Sequence, residues 1–545
     1  MDRRNFVKLG LFVGAGSTIN TPVLAAETVA NTVANSTGDA KKSSSIIEAD
    51  VTELQTQMQS GKLTAVTLTK HYLDRIKAID KSGPRLNAII ELNPDALTIA
   101  KDLDNERKTS GARGPLHGIP VLIKDNIATA DRMQTTAGSL ALVGAKAPRD
   151  AYLVKQLRDA GAVILGKTNL SEWANIRSTR STSGWSGRGG LTKNPYALDR
   201  NCSGSSSGSA AAIAASLATL AVGTETDGSI VSPASLCSLV GLKPTLGLIS
   251  RDGIVPIAHS QDTAGPMTRT VRDAAILLTA LAGADERDAT TAHTINTDYT
   301  QFLERDGLKG ARIGITRNAM ASNPRQQAVV DQAIEVMKQQ GAILIDVELP
   351  NMTKYADTEV LVLAYELKND LNNYLAEFGK GSAVSTLADV IAFNEKNRAQ
   401  EMPYFDQELL IKAQGMGDLN SDAYLQALQN NHQYSRGEGI DQIMKEHQLD
   451  ALFASTGGPA WITDYINGDH IIDGFSTPAA VAGYPHITVP AGLWAGLPIG
   501  VSFVAGPYAE GMIIKLAYAY EQASKKRTVP TYLAHSLNDP VSMFG

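Results

Sequence analysis

Cysteine is nearly absent from this chain, since Cys202 and Cys237 are the only two among 545 residues. Two cysteines exclude a disulfide scaffold, and the sequence leaves open whether these two pair. No Cys-x-x-Cys or His-Glu-x-x-His spacing occurs among the two cysteines and nine histidines. A zinc site therefore has no evident ligands, and we predict neither a metal nor a cofactor.

The chain also has no marked excess of charge of either sign. The chain has 50 Lys and Arg against 56 Asp and Glu, a net charge of −6, and no run of five like charges. This balance offers no basic surface for nucleic acid or anionic lipid. Hydrophobic side chains make up 43% of the sequence and charged ones 19%, so the chain can bury a large core. Charge therefore names no partner, and the sequence does not fix the oligomeric state, although a monomer is favoured.

The first residues resemble an export signal. Arg3-Arg4-Asn5-Phe6-Val7-Lys8 is a twin-arginine pattern, and a weakly apolar stretch then leads to Ala25 and Ala26. We predict a signal peptide at 1–26, a flexible leader at 27–46 and a periplasmic or secreted protein. A poorly ordered cytosolic N-terminus is the alternative. Beyond the signal no run of 18 apolar residues occurs, so no transmembrane helix is predicted.

Short apolar runs alternate with helical patterns from Gly118 onwards, which predicts an α/β fold with a large mixed sheet flanked by helices on both faces. The predicted strands are Ile119–Ile123, Ala162–Leu165, Thr219–Val222, Arg312–Ile315, Leu449–Phe453 and Ile487–Val489. The predicted helices between them include Ala151–Ala160, Ser209–Leu217 and Gln326–Gln340. We expect a single domain over 47–545, with a helical insertion at about 352–450.

Two short motifs invite functions that their context does not support. Residues 161–168 match the phosphate-loop pattern G-x-x-x-x-G-K-[ST], but the four variable positions are Ala, Val, Ile and Leu and form a predicted strand. Residues 204–208 match G-x-S-x-G, which would make Ser206 the nucleophile of an α/β-hydrolase elbow. That mechanism requires a later histidine. The candidates are His259, His470 and His486, and none of them lies in a motif that indicates a catalytic role.

A third interpretation joins three separate segments. Lys124 ends a predicted buried strand, where an ammonium group is costly unless it is paired or neutral. Ser205 lies in one Gly/Ser turn, and Ser229 lies in a second turn that follows the strand Thr219–Val222. One helix and one strand separate the two serines, so both turns can meet at the same end of a sheet. Lys124 at a neighbouring strand end can reach them.

These segments resemble the amidase signature family. The resemblance rests on residues 204–209, 223–230 and 241–245, together with 166–169, 262–266 and 483–490. It implies that Lys124, Ser205 and Ser229 form a Ser–cisSer–Lys triad, with Ser229 as nucleophile and a cis bond between Gly204 and Ser205. It also implies an oxyanion hole formed by the backbone N–H groups of Thr226, Asp227, Gly228 and Ser229.

The chain departs from the usual pattern of that family in two places. Asp227 stands where the family usually has glycine, and Val231 stands where an arginine commonly follows the nucleophile. Both features resemble the peptide amidase branch, whose members remove the C-terminal amide of peptides and release ammonia. An amidase for small aliphatic, aryl or amino-acid amides is the alternative, and a non-catalytic exported binding protein is a remote one.

Overall fold

A computed structural model describes residues 46–536. The predicted signal peptide at 1–26 and the leader up to residue 45 lie outside the described residues. The helices and strands of the described residues fall within one unit, Glu48–Gly545. The strands are β1 (Ile89–Leu92), β2 (Pro120–Lys124), β3 (Val163–Thr168), β4 (Trp185–Ser186), β5 (Gly190–Leu191), β6 (Leu220–Glu225), β7 (Val240–Lys243), β8 (Thr263–Thr268), β9 (Arg312–Thr316), β10 (Ile343–Val347), β11 (Ala451–Ser455), β12 (His486–Trp494) and β13 (Leu497–Val504).

Eleven of these strands form one mixed sheet, in the order β1-β3-β2-β6-β8-β7-β12-β13-β11-β9-β10. The strands β3, β2 and β6 are parallel neighbours, and so are β11, β9 and β10. The strands between these two groups pair antiparallel. The predicted large mixed sheet is therefore confirmed.

Helices pack against this sheet and also form a block of their own. They are α1 (Val51–Gln59), α2 (Ala65–Arg75), α3 (Ala96–Ser110), α4 (Tyr152–Asp159), α5 (Ser207–Ala214), α6 (Val231–Leu236), α7 (Val271–Leu281), α8 (Pro324–Gln339), α9 (Ala356–Phe378), α10 (Leu387–Lys396), α11 (Arg398–Glu401), α12 (Glu408–Gln414), α13 (Asp422–His432), α14 (Asp441–His447), α15 (Thr477–Ala482) and α16 (Glu510–Ser524). The six helices α9–α14 lie in the region predicted to be helical.

Capping chemistry moves the start of one helix away from the predicted position. The pattern predicts a helix from Gln326, but α8 begins at Pro324 because the Asn323 side chain accepts a hydrogen bond from the backbone N–H of Arg325. Proline suits the first turn of a helix, where its missing N–H is not needed. The apolar periodicity alone does not show that Pro324 and Arg325 belong to the helix.

Strand β8 shows what the apolar runs miss. Its sequence, Thr-Ala-Gly-Pro-Met-Thr, has no apolar run, yet every residue is buried between β6 and β7. A Cβ on Gly265 would lie 2.1 Å from the carbonyl oxygen of Leu242, so glycine is required by the close approach of backbone there.

In the described part of the chain, no helix is long and apolar enough to span a membrane.

Candidate active site

Three side chains meet at the edge of the sheet where β2 and β6 end. These strands are parallel neighbours, with Ile123 opposite Val222, so their carboxyl ends lie together. Lys124 is the last residue of β2, and the turn carrying Ser229 follows β6. Ser205 lies just before α5, which places it at the same edge. The sheet therefore joins residues that are about a hundred positions apart in sequence.

The three side chains form a continuous hydrogen-bonded chain. The Nζ of Lys124 lies 2.7 Å from the Oγ of Ser205, and that Oγ lies 3.0 Å from the Oγ of Ser229. The Gly204–Ser205 peptide bond is cis, as the family resemblance implies. These distances are within hydrogen-bond range for proton transfer from one hydroxyl to the next and on to the amine.

Lys124 is completely buried, and burial lowers its pKa to about 7. The charges of Asp262 and Glu225 act in the opposite direction but do not restore the ordinary value. Besides Ser205, the Nζ contacts the Oγ1 of Thr224 at 2.8 Å and its carbonyl oxygen at 3.2 Å. A neutral amine can donate to both Thr224 atoms while its lone pair faces the Oγ of Ser205, which is the arrangement required of a base.

The turn before Ser229 leaves a set of backbone donors unused. Within residues 46–536, the N–H groups of Asp227, Gly228 and Ser229 donate to no protein acceptor. Gly228 has φ +77°, where a side chain would be strained, and a Cβ there would lie 3.0 Å from the Oγ of Ser476. Consecutive free N–H groups at such a turn can stabilise negative charge on an oxygen.

Buried carboxylates hold this turn in place from both sides. The Oε2 of Glu225 accepts hydrogen bonds from the backbone N–H groups of Ile230 (2.7 Å) and Val231 (3.0 Å). Asp262 accepts one from the hydroxyl of Thr226 at 2.6 Å, and Asp227 accepts one from the hydroxyl of Thr477 at 2.6 Å. The side chain of Asp227 is therefore tied to α15.

A cavity of about 250 Å³ opens onto Ser229. Its wall includes both turns described above, the segment 174–176 and the loop between β11 and α15. Its apolar members are Ala174, Ile176, Leu236, Ile257, Leu363, Trp461, Ile471 and Ile472. Ser229 itself is only 7% exposed, so a substrate must enter the cavity to reach its hydroxyl.

Comparisons with known proteins show the family to which the chain belongs. The family model described as Amidase matches residues 67–514. This chain belongs to the amidase signature family. A probable amidase of Arabidopsis thaliana is 42% identical over 506 residues, which cover 90% of this chain and 93% of the relative. A glutamyl-tRNA(Gln) amidotransferase subunit from Chloroflexus aurantiacus is 36% identical, over 88% of this chain and 97% of the relative.

A solved structure extends the likeness to three dimensions. Native peptide amidase from Stenotrophomonas maltophilia superimposes with a TM-score of 0.84 at 50% sequence identity, covering 89% of this chain and 99% of that chain. The predicted amidase signature fold is thereby confirmed. The chain is an enzyme of amide hydrolysis, so the remote alternative of a non-catalytic binding protein is set aside.

The structure supports neither of the two competing motifs. Ser206 is fully buried, and its Oγ donates to the carbonyl oxygen of Thr224 at 3.0 Å. Lys167, the lysine of the phosphate-loop pattern, lies inside β3 and donates to the carbonyl oxygen of Ile127 and the hydroxyl of Thr135 at 2.9 Å. A lysine inside a buried strand cannot cradle a phosphate.

The three histidines suggested for the elbow mechanism lie in separate polar contacts. His486 is buried against the hydroxyl of Ser502 at 2.6 Å, and His470 pairs with Asp464 at the surface. The Nδ1 of His259 lies 2.8 Å from Asp370, and its Nε2 lies 3.4 Å from Glu366. Although His259, Glu366 and Asp370 are close enough to hold a metal ion, both carboxylates are already paired with the histidine.

The two cysteines do not pair in the structure. Cys202 and Cys237 are both buried free thiols.

Sequence reasoning missed the groups that surround the lysine. Thr224 contacts Lys124 directly, and the Nδ2 of Asn126 donates to the Oγ1 of Thr224 at 3.0 Å. Asn126 lies two residues after Lys124, which is the only sequence signal that could have suggested it. Asp262 supports Thr226 from 36 positions away, and only the fold brings the two together.

Proposed function

We propose that this amidase removes the C-terminal amide of peptides, producing the free acid and ammonia. The observation that carries the proposal is the buried hydrogen-bonded chain from Lys124 through Ser205 to Ser229, which opens into a cavity partly lined by apolar side chains. The likeness to the peptide amidase of Stenotrophomonas maltophilia at 50% identity supports the choice of substrate. The absence of an arginine after the nucleophile and the presence of Asp227 support it as well.

In the proposed first step, Ser229 attacks the carbonyl carbon of the amide. Its proton passes to Ser205 while Ser205 passes its own proton to neutral Lys124, so the hydroxyl becomes an effective nucleophile. The oxyanion of the tetrahedral intermediate accepts hydrogen bonds from N–H groups of the turn formed by Thr226, Asp227, Gly228 and Ser229. The relay then runs in reverse. Lys124 returns its proton to Ser205, Ser205 protonates the departing nitrogen, and ammonia leaves.

The second step hydrolyses the ester left on Ser229. Water enters the cavity, gives a proton to the same relay and attacks the ester carbonyl. Collapse of the second tetrahedral intermediate releases the peptide acid and returns the proton to the Oγ of Ser229. Lys124 is neutral at the beginning and the end of the cycle.

A substrate panel tests the proposed specificity. We expect ammonia release from N-acetylated peptide amides with a kcat/KM at least about 10-fold above that for acetamide, benzamide and free amino-acid amides, because the apolar wall contributes binding. Coupled ammonia detection on the purified protein measures all of them. Rapid turnover of the small amides with none of the peptide amides would replace the proposal with the alternative of a small-amide amidase.

The pH dependence follows from the burial of Lys124. Because the relay requires the neutral amine and its pKa is about 7, the active fraction falls as the pH is lowered. We expect kcat/KM to decrease about 10-fold between pH 8 and pH 6. Initial rates across this range measure the effect, and an unfolding temperature well above the assay temperature at both pH values shows that the enzyme stays folded. A rate independent of pH over the interval would contradict a lysine base.

We also propose that the enzyme is exported through the twin-arginine pathway. The support is the pattern Arg3-Arg4 followed by the apolar stretch that ends at Ala25 and Ala26. Replacing both arginines with lysine should retain the protein in the cytoplasm, as fractionation of the expressing cells would show.

A further inference from the structure

Two exposed isoleucines line the cavity beside Ser229. Ile471 and Ile472 are 65% and 54% exposed and belong to the cavity wall, and we call them the isoleucine rim. Both lie in the loop between β11 and α15. Single exposed apolar residues are normal on a protein surface, but exposed apolar residues that line a ligand cavity indicate an interaction site.

The loop that carries the rim is firmly attached to the rest of the enzyme. At its base Gly457 pairs with Gly474, and the N–H of Phe475 donates to the carbonyl oxygen of Thr456 at 3.2 Å. Further along, the N–H of Asn201 donates to the carbonyl oxygen of Trp461 at 2.8 Å. The carboxylate of Asp469 accepts a hydrogen bond from the N–H of Ser183 at 2.9 Å. With its backbone fixed in this way, the loop holds the isoleucines outward.

The rim shares the cavity wall with an anchored part of its loop. Ile471 and Ile472 line the cavity together with Trp461. Tyr465 of the same loop stacks on Tyr404 of the helical block, with ring centroids 4.2 Å apart. A peptide whose last residue sits at Ser229 can contact this wall as it leaves the cavity.

We propose that the isoleucine rim binds apolar side chains of the peptide that precede the amidated residue. The inference rests on the proposed function, because it names the class of peptide amide that the same site prefers. The loop also carries Asp464 and Asp473, and Asp473 lines the cavity, so acidic side chains at those peptide positions are disfavoured by like charge. The preferred substrates are thus peptide amides with apolar residues, rather than acidic ones, before the terminal amide.

A ladder of substrates tests this preference on the whole protein. The probes are acetyl-phenylalaninamide and its extensions by one or two leucines, with matched extensions by serine or aspartate. We expect kcat/KM to rise about 5- to 10-fold for each added leucine and to remain level for serine, with aspartate below serine. The rise in kcat/KM should come from a lower KM with kcat unchanged, because the rim contacts the substrate far from the reacting carbon.

Two matched variants locate the effect. Ile471→Ser should reduce the kcat/KM of the two-leucine substrate relative to that of acetyl-phenylalaninamide about 3- to 5-fold. Ile295→Ser changes an isoleucine that is 77% exposed and lies outside this loop, and it should leave every rate and ratio as in the parent. Both side chains are exposed, so neither change removes core packing.

The other outcomes would overturn the inference in distinguishable ways. Equal kcat/KM for leucine, serine and aspartate extensions would remove the rim from substrate binding while leaving peptide amide hydrolysis in place. The same flat ladder, together with a concentration-dependent dimer that Ile471→Ser abolishes in sedimentation, would assign the rim to a second copy of this chain. No turnover of any peptide amide, with turnover of small amides, would remove the proposed function and this inference with it.

Discussion

Replacing Ser229 with alanine is expected to lower turnover of a peptide amide about 10⁵-fold, to the limit of detection. Among the residues described in the structure, Ser229 carries the only hydroxyl that is hydrogen-bonded to Ser205 and also lies on the turn with free N–H donors. Without it no acyl-enzyme can form, and the remaining turn and cavity provide only residual stabilisation. Ammonia release at high enzyme concentration measures the loss.

Ser206→Ala is the matched control for that variant. Its Oγ contacts the backbone of Thr224 through a 3.0 Å donated and a 3.2 Å accepted hydrogen bond, so we expect a loss of no more than about 10-fold. A fluorophosphonate should label the parent and Ser206→Ala but not Ser229→Ala. The reverse result, with labelling lost only in Ser206→Ala, would establish the elbow mechanism instead.

Lys124→Met is expected to lower kcat about 10³- to 10⁴-fold with little change in KM. Methionine retains most of the volume of the buried side chain but removes the amine that accepts the proton from Ser205, and general-base catalysis contributes a factor of this size. The hydrogen bond between Asn126 and Thr224 remains in this variant, so the lining of the site loses only the amine.

Steady-state kinetics and thermal unfolding together check the Lys124 prediction. A variant that retains the parent's unfolding temperature while losing activity separates loss of the base from loss of the fold. The residual rate should also lose the rise between pH 6 and pH 8, because the group that titrates there is gone. A fully active Lys124→Met protein would contradict the relay, whatever its pH profile.

The sequence reports well those features that depend on neighbours in the chain. The apolar runs that become β2, β3 and β6 are buried over their whole length, because strands in the middle of a sheet need apolar residues on both faces. The Gly/Ser turns around Ser205 and Ser229 are equally local. Together with the family resemblance, these patterns are enough to nominate all three candidate residues.

Local patterns fail where packing rather than periodicity decides the structure. Strand β8 is held by close backbone contact at Gly265. The isoleucine rim is also decided by packing. An apolar residue in a sequence is expected in a core, and only the path of the loop leaves Ile471 and Ile472 in solvent.

By itself the sequence determined which residues could carry the chemistry: a lysine at the end of a strand and two serines in glycine-rich turns. The tertiary structure decided how they can act. Burial of Lys124 beside Thr224 lowers its pKa to about 7, and parallel pairing of β2 with β6 brings its Nζ to 2.7 Å from Ser205. Desolvation and proximity arise from contacts between distant segments, so no stretch of sequence contains them.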